Sequence, residues 1–275
     1  MNTNTKHIVI ALVALLFIFT ACKQDKKAAN KEETIADDTE IETRTTTPKI
    51  TLQKLESSPA YVDASLILDL PKHIEVAEAG EMDFSFKVEN YELGAQTGGP
   101  NPQKLANSGK GQHIHFILDN QPYSAHYEPI FKKEIPKGVH HLVAFLSRSY
   151  HESVKNSNSV VVRKLTVGDD PKDVLGLEME APTLIYSRPK GTYEGKNAEQ
   201  ILLDFFVLNT TLSENGHKVR ATIHGEKFMI TEWVPHVIKG LPMGEITIQL
   251  ELLDETGTLI PGTFNTVLRK ITLKP

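Results

Sequence analysis

The sequence predicts an all-β protein in which one β-sandwich occurs twice in tandem, and three observations carry that prediction. The apolar period is 2, as in Phe84-x-Phe86-x-Val88 and Ile246-x-Ile248-x-Leu250-x-Leu252, and neither copy keeps a helical period. Gly and Pro interrupt these runs at intervals of about ten residues, the spacing of short strands in a sandwich. The chain also matches itself. Ile135-Pro-Lys-Gly138 returns as Leu241-Pro-Met-Gly244, and Val162-Arg-Lys-Leu-Thr166 returns as Leu268-Arg-Lys-Ile-Thr272, both at an offset of 106.

The elements follow in chain order. A polar start carrying Lys6 leads into an uncharged apolar run, Ile8 to Phe19, too short to span a hydrocarbon core as a permanent helix. It ends Phe19-Thr20-Ala21-Cys22, where small residues suit a signal peptidase. This segment resembles the lipobox of bacterial lipoproteins, with Phe19 where Leu is usual. The resemblance implies that residues 1–21 are a signal peptide and that Cys22 is lipidated and holds the protein at a membrane. Cys22 is the single cysteine of the chain, so no internal disulfide competes for it. Residues 22–49 are mostly Lys, Asp, Glu, Thr and Asn, a composition that reads as a flexible tether.

The first sandwich is expected over 50–168 and the second over 181–275, with a polar linker at 169–180 around Asp169-Asp-Pro-Lys-Asp173. Further matches agree: Tyr127-x-Pro129 with Trp233-x-Pro235 at 106, Ile114-x-Phe116-x-Leu118 with Val219-x-Ala221-x-Ile223 at 105, and Val88-x-Asn90 with Val207-x-Asn209 at 119. The drop in offset from 119 to 105 places a 14-residue insertion of the first copy within Gly94 to Gly111, a stretch dense in Gly, Pro and Asn. The pattern of both copies is similar to exported immunoglobulin-like and fibronectin-like modules, which implies two immunoglobulin-like sandwiches and names no activity.

Six of the eleven histidines, 113, 115, 126, 140, 141 and 151, fall between Gly111 and Glu152, and the second copy lacks them. Lys218 and Arg220 stand opposite His113 and His115, and Ile246 and Thr247 opposite His140 and His141. The fold is therefore built without these imidazoles in its other copy. Strand alternation turns Ile114, Phe116 and Leu118 to the core and His113 and His115 outward, with His141 outward on the strand that immunoglobulin order makes their neighbour.

His113, His115 and His141 are accordingly a candidate site for Cu or Zn, with His126, His151 and Glu152 as further ligands from nearby loops. A polar patch without metal is the other reading of the same residues, and His140 reads as a hydrogen-bonded core residue. A third reading makes Ser147, Arg148 and Tyr150 an anion site for phosphate or carboxylate. GQHIHFILDNQPYSAHYEP followed by GVHHLVAFLSRSYHES resembles a group of poorly characterised envelope lipoproteins with a loose phosphopeptide-binding label, which implies a peptide or protein ligand.

The remaining composition excludes more than it offers. With 30 basic and 35 acidic residues the formal charge is −5, which argues against nucleic acid as a partner. No Gly-x-Ser-x-Gly elbow, P-loop or dinucleotide fingerprint occurs, and Trp233, in its aromatic-x-Pro match, reads as a structural turn. The expected function is thus a non-enzymatic binding or structural module. It would be lipid-anchored in the cell envelope, with the outer membrane favoured, and a copper or zinc protein or a component of an envelope complex are the alternatives.

Overall fold

A computed structural model describes residues 49–275. The proposed signal segment 1–21, Cys22 and nearly all of the tether lie outside the described residues. The described chain is almost wholly β and holds two immunoglobulin-like sandwiches of one topology.

A first strand, β1 (Thr51–Lys54), precedes the first sandwich, which comprises β2 (Ser65–Leu68), β3 (His73–Val76), β4 (Gly80–Glu89), β5 (His113–Leu118), β6 (Ser124–His126), β7 (Ile130–Ile135), β8 (Gly138–Ser147) and β9 (Val160–Val167). Its sheets are β2-β4-β7 and β3-β9-β8-β5-β6. The second sandwich repeats them with β10 (Thr183–Arg188), β11 (Gly191–Glu194), β12 (Ile201–Leu208), β13 (Lys218–Ile223), β14 (Glu226–Ile230), β15 (His236–Lys239), β16 (Gly244–Leu253) and β17 (Thr266–Lys274), ordered β10-β12-β15 and β11-β17-β16-β13-β14. In both copies a short strand pairs parallel with the last one, β3 with β9 and β11 with β17, and all other pairs are antiparallel. The paired sequence motifs coincide with paired strands: β8 and β16 begin at Gly138 and Gly244, and β5 and β13 begin at His113 and Lys218.

Each sandwich has its own core. Phe84, Phe86, Ile114, Phe116, Leu142, Leu146 and Leu165 fill the first, and Leu203, Phe205, Val219, Ala221, Ile248, Leu250 and Ile271 the second. A third cluster joins Ile117, Tyr123, Val143 and Phe145 of the first sandwich to Ile185, Phe206, Leu208 and Phe264 of the second. The outer face of the β8-β5 sheet is thus packed on the outer face of the β10-β12 sheet. This is why β8 is buried along nearly its whole length and β12 at every residue, where a sandwich strand with one wet face would alternate. The seam also holds a buried ion pair. Asp204 on β12 accepts from Lys155 Nζ at 2.5 Å and from Ser153 N at 3.1 Å, and Trp233 Nε1 donates to the Phe205 carbonyl at 2.9 Å.

One expectation about boundaries is corrected. Thr51–Lys54, assigned from sequence to the first sandwich, forms β1, which pairs with β15 and completes the second sandwich's sheet. The edge of β15 offers unpaired backbone groups, and Leu52 lies in register with Ile238 on it. Gly240 lets the strands approach, because a Cβ there would lie 2.4 Å from the Lys49 carbonyl oxygen. Residues 169–180, expected as a polar linker, hold no strand and run along the seam. Leu175 and Leu177 pack on the seam cluster, and Asp173 accepts from Lys164 Nζ at 2.9 Å.

The inserted segment closes as a loop whose only helix is the short α1 (Asn101–Lys104). Gly94 N donates to Gln112 O and Gln112 N to Ala95 O, at 2.8 and 2.7 Å, so the two ends of the insertion are stitched together. Gly111 sits at φ +85°, and a Cβ there would fall 2.2 Å from the Gly94 carbonyl oxygen. Only glycine fits that crossing.

Candidate metal centre

His113 and His115 leave β5 on the face opposite its core residues, as strand alternation requires, but this face is not wet. The second sandwich covers it, and both side chains are fully buried. Their Nε2 atoms lie 2.9 Å apart. The turn after β8 brings a third imidazole to the same point: His151 Nδ1 is 3.1 Å from His113 Nε2. One ring nitrogen from each of His113, His115 and His151 lies within 4.8 Å of the other two.

The turn that presents His151 is tight. His151 N donates to the Arg148 carbonyl and Arg148 N to the Glu152 carbonyl, both at 2.8 Å. His151 itself adopts φ +71°, an uncommon conformation for a residue with a Cβ, of the sort that collects at functional sites.

Protonation and orientation are set by the surroundings. His113 Nδ1 lies 2.8 Å from the Gly111 carbonyl, which can only accept, so Nδ1 carries the hydrogen. Burial pushes the His113 pKa down to about 4, so at neutral pH its Nε2 is an unprotonated lone pair facing the other two rings. Burial also holds His115 and His151 well below the usual imidazole range, with the nearby Arg188 and Lys190 charges adding to the effect. The remaining nitrogen of His115, Nδ1, is 3.2 Å from Ser187 Oγ of the second sandwich. Two of the three rings thus have the nitrogen that faces away from the cluster held by a backbone carbonyl or a hydroxyl, as ligating histidines do.

Around the rings stand groups that sequence reasoning passed over. Tyr123 stacks on His115 with centroids 3.5 Å apart, and its hydroxyl is 3.2 Å from His151 Nδ1. Arg188 and Lys190 lie 5.2 and 4.0 Å over the Tyr123 ring. Tyr123 lay three residues before His126 in QPYSAHYEP, a visible signal, whereas Ser187, Arg188 and Lys190 reach the site through packing of the second sandwich and carry none. The adjoining void, lined by residues including Tyr150, His151 and Arg188, is about 10 Å³, roughly the room of one water.

The other residues proposed from sequence lie elsewhere. His141 points to the same face as His115 but at the far end of the strand. The antiparallel register sets Phe145 opposite His115, and four residues of strand separate Phe145 from His141, about 13 Å. There it stacks on Phe264 at 5.6 Å and lines a separate cavity of about 280 Å³. His126 is cross-strand from Ile114 and therefore on the core side, stacked on Phe131 at 3.4 Å. Glu152 pairs with Arg148 at 2.9 Å and accepts from Ser58 at 2.5 Å, and it is not in the imidazole cluster.

The anion reading is corrected for the same reason. Arg148 is 4 % exposed, neutralised by Glu152, and spends further hydrogens on the Ser153 and Pro59 carbonyls. Ser147 donates to the Arg148 carbonyl at 3.3 Å and Tyr150 to Ser58 at 3.0 Å, both from buried positions. These groups hold the 148–153 turn in shape and leave no accessible face for a phosphate. His140, as expected, is internally bonded, with Nδ1 2.6 Å from Asp119 and Nε2 3.0 Å from the Pro136 carbonyl.

No protein-family model and no curated protein matches the sequence. Among solved structures, the chain is similar to fibronectin(III)-like modules of Clostridium thermocellum CbhA, with 14% identity over 76% of this chain and 94% of that one and a TM-score of 0.27. It is also similar to the two tandem V-type regions of VCBP3, a v-region-containing chitin binding protein, with 9% identity over 82% of this chain and 99% of that one and a TM-score of 0.22. At these scores the likeness adds nothing to the strand order described above.

Proposed function

We propose that this protein is an exported, lipid-anchored envelope protein whose two sandwiches enclose a copper or zinc ion held by His113, His115 and His151. The observation that carries the metal reading is the convergence of three neutral imidazoles at a buried seam, with the outer nitrogens of two of them engaged by Gly111 O and Ser187 Oγ. Three nitrogens bonded tetrahedrally at 2.0 to 2.1 Å would lie about 3.3 Å apart, and the two closest pairs, at 2.9 and 3.1 Å, need little adjustment. Because the void beside the rings is small, the ion would serve to bind and brace. Its ligands come from one sandwich and their supports from the other, so occupancy would tie the two together.

The test is titration of the protein with Cu²⁺ and Zn²⁺ while thermal unfolding is followed. One equivalent is expected to bind and, at a hundred times its Kd, to raise stability by about 2.7 kcal/mol. The double variant His113→Ala/His115→Ala should lose both effects, and equal affinity in parent and variant would defeat the reading. Anchorage rests on the lipobox resemblance and is tested separately: Cys22→Ser should move the protein from the membrane to the soluble fraction.

A further inference from the structure

Three imidazoles leave one corner of a tetrahedron open, and the hydroxyl of Tyr123 lies beside one of the three rings. Its hydroxyl is 3.2 Å from His151 Nδ1, while His151 Nδ1 and His115 Nε2 lie 3.1 and 2.9 Å from His113 Nε2. All three separations are close to the edge, about 3.3 Å, of a tetrahedral ligand set. The stack on His115, 3.5 Å between centroids and 13° between planes, fixes the phenol ring where its oxygen faces the cluster.

Charge gives an independent reason. Arg188 and Lys190 sit over the Tyr123 ring, and two fixed cations beside three neutral ligands oppose the entry of a divalent ion. An anionic fourth ligand offsets that repulsion, and among the described residues no carboxylate is in the cluster. The other phenols nearby bond away from the rings, Tyr127 with Ser108 Oγ at 2.7 Å, Tyr150 with Ser58 at 3.0 Å and Tyr193 with Arg188 at 3.0 Å, while Tyr123 shares Arg188 with Tyr193.

Resting on the metal reading above, we infer that Tyr123 is the fourth ligand of that ion, bound through its oxygen as phenolate, with Cu²⁺ as the probe that reports it. On binding, the phenol O–H bond breaks, a Cu–O bond forms and the proton leaves to solvent, with no change of oxidation state. Mixed imidazole and oxygen sites hold Cu²⁺ above the other divalent first-row ions, and phenolate bound to Cu²⁺ gives a visible charge-transfer band that imidazole alone does not.

The experiment uses the full chain in detergent with glycine-buffered Cu²⁺ and reads the absorption spectrum and affinity together. One equivalent should bind with a charge-transfer band. Tyr123→Phe keeps the ring and its stack, so the protein folds; it should still bind Cu²⁺ but lose the band and about tenfold or more in affinity. Tyr127→Phe should keep both. Tyr123→Phe with an undiminished band and affinity would overturn the fourth-ligand inference. A parent without the band whose binding His113→Ala abolishes would also overturn it while leaving the three-histidine site standing. Identical Cu²⁺ binding by the parent and His113→Ala would remove both.

Discussion

The two sandwiches put the same strand positions to opposite uses. His115 on β5 and Arg220 on β13 are counterparts at an offset of 105, and their cross-strand partners, Phe145 and Glu251, are counterparts at 106. In the second sandwich this face is partly open to water, and Arg220 and Glu251 form two hydrogen bonds of 2.8 Å. In the first sandwich the same face lies under the second, and the pair becomes a neutral imidazole and a phenyl ring, both fully buried. The other sheets invert the contrast. Ser85 on β4 is exposed, while its counterpart Asp204 on β12 is completely buried against Lys155. What differs between the copies is therefore which sheet is covered. The histidine cluster occupies the covered face, where desolvation keeps its rings neutral and able to ligate.

The largest way to break this contrast is to remove the seam's packing or its ion pair. Phe145 stacks on Phe206 across the seam at 5.1 Å, and Phe145→Ala should cost about 3–5 kcal/mol in urea unfolding. Asp204→Ala strands Lys155, which is only 12 % exposed, and should cost a similar amount, about 3–5 kcal/mol. Ser85→Ala at the counterpart position should stay within about 0.5 kcal/mol. Near-equal losses at residues 85 and 204 would mean that the seam does not form in solution.

Acid should weaken the first sandwich's face before it touches the second's. An imidazole with a pKa near 6.5 when unfolded and about 4 in the fold, as for His113, takes up a proton on unfolding in that interval. Its contribution is intact above pH 6.5 and is lost as pH falls from there towards 4, at up to about 1.4 kcal/mol per pH unit for each such ring. His115 and His151, also held below the normal range by burial, add losses of the same sign. Stability measured at pH 7 and pH 5 should drop less in His151→Asn than in the parent, and an equal drop would show that the rings are not held neutral.

Much of this arrangement was legible in the sequence. The period of 2 and the self-match gave the strands, and the change of offset between copies located the insertion. The Lys218 and Arg220 counterparts marked His113 and His115 as residues the fold does not need for packing. Alternation predicted their face correctly and could not say what lay on it, because a covered outer face and a wet one share the same period. The choice of His141 over His151 failed on register. Facing is a local property, but position along β8 depends on which residue pairs with His115, and His151 reaches the cluster through a left-handed turn that no periodicity describes. The destination of β1 was illegible for a similar reason, since Thr51-Leu-Gln-Lys54 fits either sheet edge and only the open side of β15 decides.

The smallest expected effect sharpens the comparison from the other side. Arg220→Ala removes the pair with Glu251, whose carboxyl Arg220 holds below the usual range. The guanidinium is 31 % exposed and the carboxylate 14 %, so solvent screening limits the loss to about 0–1 kcal/mol. A loss confined to that range, beside several kcal/mol for Phe145→Ala at the counterpart of Glu251, would show that burial separates the two copies and that local pairing does not. A loss at Arg220 as large as that at Phe145 would instead mean that the second sandwich's outer face is also covered in solution, with another surface packed against it.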